Sequence, residues 1–250
     1  MIDDATLAAE LVSKAGRLAQ RMRRYGVAVD RKTSVSDIVT EADHAAEKLI
    51  VDRLHAERPD DGIVGEEGTR ENGARTWLLD PVDGTYNYAS GIPFWCAAVA
   101  LLDAAGPVLG AVYIPEADEL WIGGRDLPTT CNGQPVEPLV DRPLCEVSVC
   151  SYLHPETIPS DDVREPLLRM IRPAATVRMF GSGSVELAWI ADGRIGAFAQ
   201  YDCLDWDWYP GQALVLGAGG TARVVQHGAH RWHLAGNRRT VDELAAALTG

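Results

Sequence analysis

Trp77-Leu78-Leu79-Asp80-Pro81-Val82-Asp83-Gly84-Thr85 is the stretch on which the reading of this chain turns. Its apolar run predicts a buried strand that carries Asp80 to its end; Pro81 stiffens the exit, and Asp83 returns three residues later beside a glycine. Two carboxylates therefore converge. Gly84 lets the backbone approach a ligand closely, and Thr85 brings a hydroxyl and an N–H where a helix or turn begins, a geometry suited to a phosphate oxygen. On spacing alone, an Asp-rich turn after a strand reads equally well.

Further acids at equivalent strand ends shift that balance. Gly62-Ile63-Val64-Gly65-Glu66-Glu67 is a second short apolar run ending in carboxylates, and Trp206-Asp207 stands where a polar turn enters a helix. With no His or Cys cluster beside them, such acids form a hard oxygen-donor set that selects Mg²⁺, or Mn²⁺, over zinc or copper. An acid cluster beside a phosphate-sized glycine turn points to metal-assisted phosphoryl hydrolysis. Aspartyl-phosphate enzymes of the haloacid dehalogenase type carry D-x-D-G-T after a strand. Here two residues rather than one separate Asp80 from Asp83, which leaves a covalent mechanism a minor alternative.

Around this centre, Ala8, Leu11, Ala15, Leu18 and Met22 recur at helical spacing behind an Asp cap and ahead of Gly26 as a stop. A second helix is predicted over 41–57 with Thr40 as its cap, its approach carrying Asp37 and its first turn Asp43. Strands are predicted for Gly62 to Gly65, Trp77 to Leu79, Trp95 to Leu102, Val108 to Ile114, Leu120 to Ile122 and Glu146 to Cys150, with short connections that favour antiparallel hairpins. Helices return at Val163 to Ile171, Val185 to Asp192 and Trp206 to Leu216, the last with Pro210 in its first turn. Ile195 to Gln200, Val224 with Val225, and His233 to Ala235 read as strands, and Val241 to Leu248 as a closing helix. The pattern is α+β or layered α/β. An N-terminal half, 1–145, would carry most of the acids and a C-terminal half, 146–250, would complete the site.

The composition narrows the partners. The 250 residues carry 36 acids against 23 Lys plus Arg, a net charge of -13 that repels nucleic acid, while clustered carboxylates with bound cations would still admit a small anion. Five cysteines without C-x-x-C pairing argue against a zinc ribbon and a disulfide scaffold and for a reducing cytoplasm. The acidic start Met1-Ile2-Asp3-Asp4 is unlike a secretory signal, and no apolar run approaches the roughly 20 residues that span a bilayer, so neither export nor membrane insertion is expected.

Taken together, the segments resemble the inositol monophosphatase family of Mg²⁺-dependent, lithium-sensitive phosphatases. The resemblance runs through Lys32 to Asp43, Gly65-Glu66-Glu67, Asp80-Pro81-Val82-Asp83-Gly84-Thr85-Tyr86-Asn87-Tyr88, Gly181-Ser182-Gly183-Ser184, and Trp206-Asp207 through Gly211 to Ala218-Gly219-Gly220. It implies a layered αβαβα sandwich of the inositol monophosphatase and fructose-1,6-bisphosphatase type, commonly a homodimer. Glu66, Asp80 and the Val82 carbonyl would bind a first metal, Asp80, Asp83 and Asp207 a second, and Asp43 with Glu66 would orient or bind a third. Thr85, hydrogen-bonded to Asp43, would help activate the attacking water, and the Gly84 and Thr85 amides would receive the phosphate. The Gly181-Ser182-Gly183 turn, read without any family as a helix start with hydroxyl caps, would face the alcohol portion.

One departure bears on specificity. Seven residues before Asp207, where inositol-selective relatives carry a substrate-binding glutamate, this chain has Gln200, which hydrogen-bonds a hydroxyl without the charge. The expected substrate is accordingly a small polyol, sugar or amino-alcohol phosphate. Histidinol phosphate, fructose 1,6-bisphosphate and 3′-phosphoadenosine 5′-phosphate are rivals, and a non-catalytic metal-dependent phosphate-binding module is the alternative of another class. Trp77, Trp121 and Trp189 read as core and Trp95, Trp206 and Trp208 as pocket-lining, whereas Arg178, His227, His230 and His233 read as surface or rim.

Overall fold

The computed structural model describes residues 2–25, 29–31 and 38–250. The first half runs α1 (Asp4–Arg24), β1 (Val29–Arg31), β2 (Ile38–Thr40), α2 (Glu41–Glu57), β3 (Gly62–Gly65), β4 (Arg70–Glu71), β5 (Thr76–Asp83) and α3 (Thr85–Ser90). A meander follows, β6 (Cys96–Asp103), β7 (Gly106–Ile114), β8 (Glu119–Gly124), β9 (Leu127–Cys131) and β10 (Gln134–Pro135). Next come β11 (Ser148–Cys150), α4 (Asp161–Ile171), β12 (Thr176–Arg178), α5 (Gly183–Ala191) and β13 (Ala197–Tyr201). The chain closes with α6 (Asp205–Gly217), β14 (Thr221–His227), β15 (His230–Gly236) and α7 (Arg238–Thr249).

Side-chain alternation explains the layers. Along β6, Ala97, Val99 and Leu101 enter one core with Leu7, Leu11 and Ala15 of α1 and Ile50 and Leu54 of α2. Cys96 and Ala98, one step out of phase, enter another with Val185 and Ala188 of α5 and Leu214 of α6. The sheet β10-β9-β8-β7-β6-β5-β3-β4 is thus covered on both faces. The second sheet, β12-β11-β13-β15-β14, repeats the arrangement: Phe198 and Ala235 face α5 and α6, while Ala197, Ala199 and Leu234 face α4 and α7. The result is the αβαβα sandwich, with α5 and α6 as its middle layer.

The expected hairpins hold through the meander, where β5 to β9 pair antiparallel, but β3 lies parallel to β5. This crossover places the exit of β3 next to the exit of β5. Asp3 caps α1 by accepting from the Thr6 amide at 2.9 Å, and Thr40 caps α2 through the Ala42 amide at 3.2 Å. The helix stop read at Gly26 and the motif residues 32–37, Lys32 and Asp37 included, lie outside the described residues.

Three readings are corrected. Pro210 is not in the first turn of α6, because the helix already starts at Asp205; the ring falls in the second turn, where its missing amide leaves the Trp206 carbonyl without the i+4 donor. Glu146 is not in a strand, since Leu144–Glu146 turns as a 3₁₀ helix and pairing begins at Ser148. His233 is not a rim residue: it sits opposite Gln200 in the β13–β15 ladder, 3% exposed, with its ring packed edge-on to Trp208 at 5.0 Å. Among the described residues no helix is long and apolar enough to cross a membrane.

Candidate active site

Two strand exits and one helix start bring the acids together. Residues three apart on a regular strand point to opposite faces, so Asp80 and Asp83 would not meet on an ideal β5. The register supplies the remedy: Asp80 pairs with Ala98 but Asp83 with Cys96, three steps on β5 against two on β6. This bulge, between Asp80 and Asp83 where Pro81 has no amide to donate, turns both carboxylates to the same side. Asp207 arrives from the first turn of α6, and ligand oxygens of Asp80, Asp83 and Asp207 all lie within 4.8 Å of one another.

Burial and mutual repulsion set their protonation. Asp80 is held well above the usual carboxylate range by burial first, then by the charges of Glu66, Asp83, Asp207 and Asp43. Asp207 is raised likewise, by burial and then by Asp83 and Glu66. Burial pushes Asp83 only to about 6, because hydrogen bonds from Ser184 and Ser182 oppose it, the Ser184 amide donating to Oδ2 at 2.6 Å. Two buried acids and a half-buried third that repel one another are a poor arrangement for an empty protein and a good one for a multivalent cation.

Glu66 stands one residue beyond β3, its amide donating to the Leu79 carbonyl at 3.1 Å, and so lies beside Asp80. It lines the same cavity but is outside the group of three aspartates. Asp43 is fully buried; its Oδ2 accepts from the Thr40 amide at 2.8 Å and hydroxyl at 2.6 Å, closing the capping box of α2. The Thr85 hydroxyl lies 3.3 Å from Asp43 Oδ1 and 2.9 Å from the Val82 carbonyl, and its single proton serves one of them at a time. The contact between Thr85 and Asp43 that the motif implies is therefore present, and the Val82 carbonyl has the threonine as its neighbour. Gly84 caps α3 at φ 91°, where an added Cβ would stand 2.9 Å from the Phe94 carbonyl oxygen and 3.1 Å from that of Gly181. Only glycine fits both the backbone and the space.

The cavity over these groups holds about 670 Å³ and is bordered by Glu66, Asp83, Gly84, Thr85 and Asp207 on the acid side. Gly181, Ser182, Gly183 and Gln200 line it as well, so these predicted residues do share one space. The hydroxyl caps expected for α5 are absent: Ser182 makes no side-chain cap bond, and its Oγ turns instead toward Cys96 Sγ, 3.9 Å away, beside Asp83. Asn87, which also lines the cavity, joins two chain segments, donating to the Phe94 carbonyl at 2.8 Å and the Phe180 carbonyl at 2.7 Å. None of Trp95, Trp206 and Trp208 lines the cavity. Trp95 and Trp208 are buried in cores and Trp206 lies under the Arg70 guanidinium, 5.2 Å from ring centroid to Cζ.

Several lining residues escaped the sequence reading. Tyr152, His154 and Glu156 come from a Pro-containing segment with no periodicity to mark it, and Phe198 from the core-facing side of β13. Glu186 is 1% exposed, accepts from the Phe180 amide at 2.9 Å, and is pushed up to about 8 by burial. In sequence it is one acid inside an apolar helix, which carries no positional signal. Arg178, as read, is exposed, and its guanidinium donates within its own strand, to Thr176 Oγ1 and the Val177 carbonyl.

Comparison with known proteins agrees with this geometry. A family model described as the inositol monophosphatase family matches residues 3–249. The fructose-1,6-bisphosphatase/inositol-1-monophosphatase of Thermotoga maritima is 30% identical over 223 residues, 88% of this chain and 84% of that protein. The inositol-1-monophosphatase of Rhizobium meliloti is 31% identical over 227 residues, again 88% and 84% of the two chains. Among solved structures, the extragenic suppressor protein suhB of Bartonella henselae superposes with a TM-score of 0.88 at 28% identity, covering 97% of both chains.

Proposed function

The chain belongs to the inositol monophosphatase family and is a phosphoric monoester hydrolase; from that premise we propose a Mg²⁺-dependent phosphatase of small polyol, sugar or amino-alcohol phosphates. The observation that carries the reading is the trio Asp80, Asp83 and Asp207 within 4.8 Å, two of which, Asp83 and Asp207, line a cavity of about 670 Å³. Among the described residues no Lys or Arg lines that cavity. Hard oxygen donors at this density fit Mg²⁺ or Mn²⁺.

A divalent cation bound there offsets phosphate charge and lowers the pKa of a coordinated water. Asp80, Asp83 and Asp207, with Glu66 and the Val82 carbonyl, hold the cations, two or three in number, and Asp43 fixes the Thr85 hydroxyl so that it accepts or passes a proton at Oγ1. The Gly84 and Thr85 amides receive the phosphate, while Gly181, Ser182, Gly183 and Gln200 meet the alcohol. The 670 Å³ is within the range of about 300–1,000 Å³ of small-molecule sites and leaves room for an alcohol larger than a triol. The proposal extends to a homodimer in the cytoplasm, each protomer made of two intimately packed halves, 1–145 and 146–250.

The test is phosphate release from a panel of inositol, sugar, histidinol and adenosine phosphates, with and without Mg²⁺ and with LiCl as inhibitor. Metal-dependent, lithium-inhibited turnover of one class is the expected result and names the substrate. Calorimetric binding of metal and sugar phosphate with no phosphate released would replace the enzyme by the binding module. Sedimentation at micromolar concentration checks the dimer, and a monomer throughout would remove it.

A further inference from the structure

The turn that carries Glu66 is anchored from beneath by a buried acid. Glu47, one helical turn beyond Asp43 on α2, is 5% exposed and accepts three hydrogen bonds from residues 67–69. The Glu67 amide donates to Oε2 at 2.8 Å, and the Thr69 amide and hydroxyl donate to Oε1 at 3.2 and 2.7 Å. Gly65 makes the approach feasible, since a Cβ there would lie 2.3 Å from Glu47 Oε2. Three more bonds close the turn: the Gly65 amide donates to the Thr69 carbonyl at 2.9 Å, and Arg70 Nη1 donates to the Gly65 and Thr69 carbonyls. The same Arg70 covers the ring of Trp206, the residue before Asp207.

A carboxylate withdrawn from water is costly unless fully hydrogen-bonded, and the 67–69 donors lie at the edge of the sheet, where water would serve them equally well. What the arrangement achieves is a fixed place for Glu66 relative to β5. We propose that Glu47 is a positioning residue, which sets Glu66 against Asp80, Asp83 and Asp207 through the 65–69 turn. Helix α2 then registers the site at two points, Asp43 holding Thr85 and Glu47 holding Glu66. The inference rests on the metal-phosphatase reading given above.

The experiment is calorimetric titration of the full chain with Mn²⁺, comparing wild type, Glu47→Gln, Thr69→Val and Ile50→Val. Ile50 is a buried residue of α2 that faces the α1 core, and its substitution serves as a control for loosening the helix. The apparent Kd for Mn²⁺ is expected to rise about 10–100-fold in Glu47→Gln, the scale typical of groups that orient metal ligands, and by a smaller factor in Thr69→Val. Ile50→Val should leave it within about twofold of wild type. A folded Glu47→Gln that binds Mn²⁺ like wild type, or an Ile50→Val that weakens it equally, would overturn the inference while leaving the metal-phosphatase reading intact. If Glu47→Gln fails to fold, Thr69→Val alone decides, unchanged affinity counting against. A wild type that binds no Mn²⁺ would sink the metal reading itself, and this inference with it.

Discussion

The Ser184 amide donates to Asp83 Oδ2 across 2.6 Å, joining the start of α5 to the end of β5 although 101 residues separate them. One bond thereby couples the first turn of α5 to the acid cluster. It also explains why Asp83 is the least perturbed of the three clustered aspartates, since burial raises it while this donor pulls it back.

Asp83→Asn removes one anionic donor and presents an amide where the Ser184 N–H expects an acceptor. Turnover should fall by at least about 100-fold, because even groups that only orient metal ligands cost about 10–100-fold in affinity or activity. Circular dichroism should show the fold retained. Full activity in the variant would remove Asp83 from the site.

Glu186 should make stability fall as pH rises. Its ordinary pKa of 4.5 is raised to about 8 by burial, so between those values the folded chain keeps a proton that the unfolded chain has lost. Stability conferred by that retained proton is present below about pH 4.5 and disappears as pH climbs through about 8. Glu186→Gln should flatten the decline relative to wild type and raise Tm at pH 8, by about 2–4 °C per kcal/mol relieved. Parallel Tm profiles for the two proteins from pH 5 to 8 would contradict this.

Gly84→Ala meets both a φ of 91° and a carbonyl oxygen 2.9 Å from the new Cβ. A loss of about 1–3 kcal/mol in urea unfolding is expected, from left-handed strain and the forced shift of the Phe94 or Gly181 carbonyl. Activity should fall with it, since Thr85 is the next residue. Unchanged stability would mean that the turn relaxes freely.

Gln200→Glu restores a charge on the alcohol side of the cavity. A charge-assisted hydrogen bond to a hydroxyl exceeds a neutral one, and about a tenfold gain in kcat/KM for inositol phosphate over a monohydric alkyl phosphate is expected. An unchanged ratio would show that Gln200 does not reach the substrate.

What was legible in the sequence is what depends on local pattern. The β5 stretch, the Thr40 cap, the alternation of β6 and β7, and the order of acid and glycine motifs all follow from residues within one element or its turn. The parallel placement of β3 on β5 was not local and was missed, although it is what sets Glu66 beside Asp80. Proximity to a motif in sequence does not fix where a ring points, and Trp95 and Trp208 both turn into cores rather than the cavity. Glu47 and Glu186 read as ordinary helix acids because their partners, the Thr69 and Phe180 amides, become neighbours only through the fold. The same is true of Arg70, whose contact with Trp206 spans the two sheets' territories.

The position of α6 in the middle layer has a consequence for synthesis on the ribosome. The eight-stranded sheet is complete at Pro135, yet the face formed by Cys96, Ala98, Val112 and Ile114 acquires its cover from α5 and α6 only when Gly217 has emerged. At about 5–20 residues per second those roughly eighty residues take on the order of 4–16 s. For that interval a nascent chain displays a broad apolar face together with Asp80 and Asp83, and Asp207 has yet to be made. Slow translation of the second half should therefore aggravate aggregation more than slow translation of the first.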